Sequence, residues 1–202
     1  MKVECEWVRQ DFEALIPALL QDKIDVIFTI LAITPKRLET IDFSTSTSGN
    51  RQGVLVTKTS PLRTVAAGDT DVVSLDDTAA AQPAIGALAT ALQGKVIGTD
   101  AGGVRVELAK RYFQGSELRT YPTPADARRE LLEGHIAAGL GRMEDLEAGG
   151  PELQRIGPWF TGGVVGPGAG LGLRKTDPDL KAKLNQAIKA ALADNTIKNM
   201  SL

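Results

Sequence analysis

The chain has 202 residues, 43% hydrophobic and 24% charged, enough for one large domain or two small lobes with cores of their own. Its 23 basic and 25 acidic residues are scattered and leave a formal net charge of −2. That balance offers no basic stripe for nucleic acid and no like-charge block that would read as a disordered tail.

No apolar run is long enough to span a bilayer. The N-terminus lacks the basic-then-apolar pattern of a secretory signal, so no export address is expected in the chain as given. Cys5 and His135 are the single cysteine and histidine, too few for a Cys/His zinc site, and neither sits in a recognisable catalytic context. His135, between Gly134 and Ile136, reads as a solvated turn residue. With no dense constellation of reactive side chains, binding is expected rather than catalysis, and no metal or other cofactor is implied.

In chain order, residues 1–8 alternate loosely and predict a short strand. Asp11 precedes Phe12, Leu15, Ile16, Leu19 and Leu20 at helical spacing, which makes it a candidate N-cap, with Pro17 tightening or kinking the helix. The nearly continuous apolar run from Asp25 to Leu31 predicts a strand covered on both faces. Gln52 to Thr57 reads as another strand, and Thr59 to Thr78 as an exposed polar connection. Further elements are predicted as a helix at Ala79–Leu92, a strand at 94–99, a helix from about Arg105 to Phe113, a strand at Leu118–Tyr121, a helix at Pro124–Glu133 and a strand at His135–Leu140. The glycine cluster from Gly162 to Gly172 leads into Leu171-Gly-Leu-Arg. A last helix spans Asp177 to Asp194, with Leu180, Leu184, Ala187, Ile188 and Ala191 on one face. Recurrent strand–helix–strand units on both sides of residue 55 predict an α/β protein.

Trp7-Val-Arg-Gln-Asp-Phe-Glu-Ala-Leu-Ile-Pro, Ile33-Thr-Pro-Lys-Arg, Ile41-Asp-Phe-Ser, Gly94-Lys-Val-Ile-Gly, Leu171-Gly-Leu-Arg-Lys and Asp194-Asn-Thr-Ile-Lys form a specific set. With them the chain resembles the polar amino-acid (family 3) solute-binding proteins of ABC importers over essentially its whole length. The polar connection after Thr57 and Gly157-Pro-Trp-Phe-Thr-Gly-Gly look most like the opine branch, beside the lysine/arginine/ornithine receptors. The resemblance implies a two-lobed, type II periplasmic-binding-protein-like fold whose lobes close on a ligand at their cleft. Lobe one would comprise residues 1–48 and 170–202 and lobe two residues 53–160, with hinge segments at 49–52 and 161–169.

Carried over residue by residue, the resemblance implies ligand contacts at Thr29, Ile30 and Ala32 and a carboxylate-binding role for Arg37. A planar guanidinium suits that role because it offers two parallel donors and stays charged. It also implies an anion subsite at Gly102, Gly103 and Val104, where a helix N-terminus exposes backbone N–H groups; the family's hydroxyl is replaced here by glycine.

The sequence departs from the family in three places. The family's first strand and helix are missing before Met1, which leaves lobe one incomplete and Cys5 without its usual partner, and the C-terminus stops at Met200-Ser-Leu. An incomplete lobe exposes sheet edges, and a homodimer through it is one expectation. Third, Arg142, or Gly141 if the register slips by one, stands where the family places the Asp or Asn that takes the ligand's ammonium. Unless Glu144 or Asp145 substitutes, a plain α-amino acid should bind poorly and a more anionic ligand is expected.

The resemblance also implies an ABC permease as partner and a periplasmic location. Three alternatives stand beside it: a truncated non-binding remnant, a sensor domain, and a dehydratase of the same fold, for which Asp100 and Glu144 are the local acid/base candidates.

Overall fold

The computed structural model describes residues 3–68, 70–194 and 196. Among them no helix is long and apolar enough to cross a membrane. The chain divides into two compact units, one formed by Met1–Gly49 with Gly166–Leu202 and the other by Asn50–Val165. The elements are β1 (Ile27–Ala32), β2 (Asp42–Phe43), β3 (Gln52–Thr57), β4 (Val72–Ser74), β5 (Val96–Asp100), β6 (Glu117–Tyr121), β7 (Ala138–Gly141), β8 (Leu153–Thr161) and β9 (Ala169–Leu173). The helices are α1 (Leu15–Leu20), α2 (Pro35–Thr40), α3 (Thr78–Leu92), α4 (Val104–Tyr112), α5 (Pro124–Leu132), α6 (Met143–Ala148) and α7 (Pro178–Ala193).

The first unit holds a three-stranded sheet in the order β1-β9-β2, with β9 antiparallel to both neighbours. Leu19, Ile27, Leu31, Ile41 and Phe43 form its buried cluster, against which Phe12, Leu15 and Ile16 pack. Arg174, just past β9, bonds the carbonyls of Leu19 and Ile24 and the Asp25 carboxylate, so one guanidinium closes the α1–β1 loop.

Two expectations for this unit are corrected. Residues 3–11 form no strand, while residues 1 and 2 lie outside the described residues. An extended segment becomes a strand only when a neighbour completes its backbone hydrogen bonds, and this one has none beside it among the described residues. β1, expected to be covered on both faces, is an edge strand, and Phe28, Thr29 and Ile30 are exposed along it. The α7 helix runs as its apolar spacing predicts. The Asp194-Asn-Thr-Ile-Lys motif falls largely, and the Met200-Ser-Leu end wholly, outside the described residues.

The second unit is built on a six-stranded sheet, β4-β8-β3-β7-β5-β6. β5, β6 and β7 are parallel, and β3 runs antiparallel to β7 and β8. The buried run of β3 follows from its central place, covered on both faces. Side-chain caps open two helices of this unit: Asp77 accepts from the Ala80 amide at α3, and Thr123 accepts from the Asp126 amide at α5, where Pro124 takes the first helical position.

The segment read as a featureless polar connection contains a 3₁₀ turn at Pro61–Thr64 and the short strand β4. The parallel register carries the C-terminal ends of β5, β6 and β7 to one end of the sheet. The antiparallel pairing of Gly53 with Gly141 brings the start of β3 to that same end.

Candidate functional site

In the first unit the Ile33-Thr-Pro-Lys-Arg motif is the start of α2. Thr34 is the N-cap, its hydroxyl accepting from the Arg37 amide at 3.3 Å, and Pro35 occupies the first helical turn. That geometry turns the Arg37 side chain back toward the end of β1. Its Nη1 donates to the Ala32 carbonyl at 2.9 Å, and the guanidinium carbon lies 5.5 Å over the Phe12 ring. Burial pushes the Arg37 pKa below its ordinary value, yet a guanidinium remains a cation at neutral pH.

No carboxylate pairs with Arg37 among the described residues, so a half-buried cation is held by a carbonyl and a ring face alone. Arg37 and the buried Ala32 are thus in direct contact. Thr29 and Ile30 lie earlier on β1, on its exposed stretch.

In the second unit Ala101, Gly102 and Gly103 turn from β5 into α4. Gly102 has a φ of 74°, a left-handed conformation that glycine adopts without steric cost. Gly103 is the N-cap and brings no side chain to cap the first turn, where the Val106 amide donates to the Gly103 carbonyl at 3.2 Å. Val104 begins the helix. Glu107 in the first turn and Lys110 and Arg111 in the last complement the helix dipole.

Behind this turn lies a buried polar network that the sequence reading did not find. Arg105, only 7% exposed, donates from Nε to Asp100 Oδ1 at 2.7 Å and to Thr99 Oγ1 at 3.0 Å, and from Nη1 to Gln52 Oε1 at 3.2 Å. Its Nη2 also contacts Asp100 Oδ1. Gln52 in turn donates to Asn50, whose amide donates to the Val165 carbonyl at 2.6 Å. The first and last residues of the second unit are therefore tied to the turn that carries Gly102 and Gly103. The available signal was an Asp and an Arg spaced across a glycine turn, with the arginine on the apolar side of a helix that also buries Leu108 and Ala109.

Arg142 follows β7 directly and caps α6. Its amide donates to Asp145 Oδ2 at 2.9 Å, while its Nε is buried without a hydrogen-bond partner among the described residues. Glu144 and Asp145 each stand 3.8 Å from that Nε, too far for a hydrogen bond. Asp145 is also 3.8 Å from Arg105. The four side chains thus make an alternating row, Asp100, Arg105, Asp145, Arg142, along the ends of β5 and β7. Within each unit the structure brings expected residues together: Ala32 with Arg37 in the first, and the Gly102–Val104 turn with Arg142, through that row, in the second.

Three metal-ligating side chains converge elsewhere, at the end of α5. The ligand atoms of Glu130, Glu133 and His135 lie within 4.8 Å of one another. His135 Nδ1 is 3.3 Å from Glu130 and 3.5 Å from Glu133, on an exposed turn. Cys5 is an exposed free thiol.

Two α/β units, with polar groups gathered at strand ends, are the architecture of two-lobed periplasmic binding proteins. The chain matches bacterial extracellular solute-binding proteins, family 3, over residues 1–202 and belongs to that family. It is 31% identical to the octopine-binding periplasmic protein of Rhizobium meliloti, covering 100% of this chain and 76% of the relative. It is 32% identical to the L-arginine-binding protein of Pseudomonas aeruginosa, covering 99% of this chain and 72% of the relative. Among solved structures, a periplasmic His/Glu/Gln/Arg/opine family-binding protein from Silicibacter pomeroyi, in complex with lysine, superposes with a TM-score of 0.72 at 23% identity. That superposition covers 98% of this chain and 77% of the other. The protein is a solute-binding protein, and these relatives carry binding rather than catalytic names.

Proposed function

We propose that this protein binds a small polar amino acid or an opine-like solute through its carboxylate and delivers it to the membrane permease of an ABC importer. The observation that carries the reading is Arg37: a half-buried guanidinium, braced by the Ala32 carbonyl and the Phe12 ring, with no carboxylate of its own among the described residues. Such a cation gains most from an anion that arrives from solution. Thr29 adds a hydroxyl on the exposed part of β1, and the bare amides at Gly102, Gly103 and Val104 favour an anionic group on the second unit.

The names of the relatives support a carboxylate-bearing solute and a periplasmic location. Catalysis has no comparable support, because Asp100 is engaged by Arg105 and Glu144 is a largely exposed group beside Arg142. The exposed apolar edge of β1 supports pairing of two copies through the first unit.

Calorimetric titration of L-arginine, L-lysine, octopine and a dicarboxylate tests the reading. Arg37→Met should weaken the best ligand by about 2–5 kcal/mol, roughly 30-fold or more, with the fold intact by circular dichroism. Wild-type affinity retained in Arg37→Met, or no binding of any of these solutes by the wild type, would sink it.

A further inference from the structure

We propose that Asp100 is a ligand-binding carboxylate that takes the α-ammonium group of the solute on its Oδ2 atom. The proposal rests on the reading of the Ala101–Val104 turn as a binding surface for the solute's anionic group, and it adds Asp100, at the edge of that turn, as the acceptor for the neighbouring ammonium.

Asp100 ends β5 at the edge of that turn. Its Oδ1 accepts from the Thr99 hydroxyl at 3.1 Å and from Arg105 Nε at 2.7 Å, and it also meets Arg105 Nη2. A carboxylate and an arginine that serve only each other commonly settle into a two-pronged pair, one nitrogen to each oxygen. In this structure both nitrogens converge on one oxygen, and Oδ2 has no hydrogen-bond partner among the described residues. Oδ2 faces the glycine turn: a β-carbon built on Gly103 would lie 3.7 Å from it. The side chain is 16% exposed, so the spare oxygen belongs to a surface rather than to a sealed core. Arg105 thereby orients the carboxylate and leaves one acceptor over.

Two other acidic groups at this end of the sheet, Asp145 and Asp76, are already engaged. Asp145 Oδ2 accepts from the Arg142 amide and lies near the guanidinium groups of both Arg105 and Arg142. Asp76 Oδ1 accepts from the Gly163 amide, and its Oδ2 lies 3.5 Å from the Ser74 hydroxyl. Glu144 is 64% exposed beside Arg142. Arg142 places a cation at the end of β7, which repels an ammonium from that strand and leaves the neighbouring end of β5 to receive it. The alternating row then has formal charges that cancel, and Asp100 Oδ2 is its open acceptor.

The experiment compares L-arginine, octopine and the arginine analogue lacking the α-amino group, titrated into wild-type protein and Asp100→Asn. Asparagine keeps an oxygen for Arg105 and Thr99 while putting an NH₂ group in the Oδ2 position. The wild type is expected to prefer the amino-bearing ligands by about 10- to 100-fold, the worth of one charge-assisted hydrogen bond. Asp100→Asn should lose that preference, with its folding checked by circular dichroism because it also removes the charge that faces Arg105.

If the variant does not fold, the wild-type Asp100 side-chain carboxyl carbon resonance should shift with arginine or octopine and stay put with the analogue. A preference retained in Asp100→Asn, or a carboxyl resonance unmoved by an amino-bearing ligand that binds, overturns the proposal. Equal wild-type affinity for all three compounds overturns the role of Asp100 alone. Binding of none defeats the underlying reading as well.

Discussion

The second unit is a six-stranded sheet whose central strand, β3, is buried along almost its whole length and flanked by apolar side chains from α3 and α4. The first unit has three strands and a smaller buried cluster, and it leaves Trp7 72% and Phe28 66% exposed. Those two rings stack edge to face at 5.4 Å. Apolar surface in the second unit is removed from water by its own elements, whereas the first unit carries some of it outward on the edge strand β1. Stability is therefore expected to concentrate in the second unit, and association in the first.

The sharpest way to break that contrast is to hollow out the second unit. Trp159 is fully buried on β8 against Gly53, with the Arg155 guanidinium 5.0 Å over its ring. Trp159→Ala should cost about 3–5 kcal/mol in urea denaturation followed by circular dichroism. A loss under about 1 kcal/mol would mean that the second unit is not the better-packed one.

A smaller effect is expected at Asp42 in the first unit, which Lys181 holds with two 2.8 Å bonds. Burial raises the Asp42 pKa, but the Lys181 hydrogen bond and the Phe43 amide outweigh it, and the net value falls below that of a free carboxyl. With the folded pKa below the unfolded one, the stabilisation is complete above the unfolded value and is lost as pH falls through the folded one. Asp42→Asn should cost about 1 kcal/mol or less at neutral pH and flatten the acid limb of the stability profile below about pH 4. Identical acid limbs in the two proteins would remove the pair from the account of the first unit.

The smallest effect is expected at the surface ring. Phe28→Ser should change folding stability by no more than about 0.5 kcal/mol, because no core contact is lost. It should also reduce any dimer seen by analytical ultracentrifugation. An unchanged dimer fraction would place the pairing surface elsewhere, and a large loss of stability would show that the exposed edge belongs to the core.

Much of the helical structure was legible because its signals are local. Asp77 ahead of an alanine-rich run, Thr123-Pro124 ahead of α5 and the spacing along α7 each act within a few residues. α2 carried the same kind of signal, Thr34-Pro35, and was overlooked because the segment was weighed for ligand contacts only. β8 was hidden by Gly157-Pro158, which reads as a break. The strand accommodates the pair with Gly157 at a φ of 66° and an irregular register against β3. The expected strand at residues 1–8 and the expected double cover of β1 failed for the opposite reason. Both depend on which strands lie alongside, and that is not written in the segment itself.

Arg37 was legible through its motif. The partnership of Asp100, Arg105, Asp145 and Arg142 was not, because a parallel sheet assembled it from the ends of two strands distant in sequence.

The chain's two tryptophans fall one to each unit, Trp159 dry in the second and Trp7 wet in the first. Indole fluorescence therefore reports both halves from the native sequence, without labels. Acrylamide reaches Trp7 and spares Trp159, so quenching can assign a ligand-induced spectral change to one half. A blue shift confined to the quenchable component would mark coverage of β1, and a red shift in the protected component would mark opening of the larger sheet.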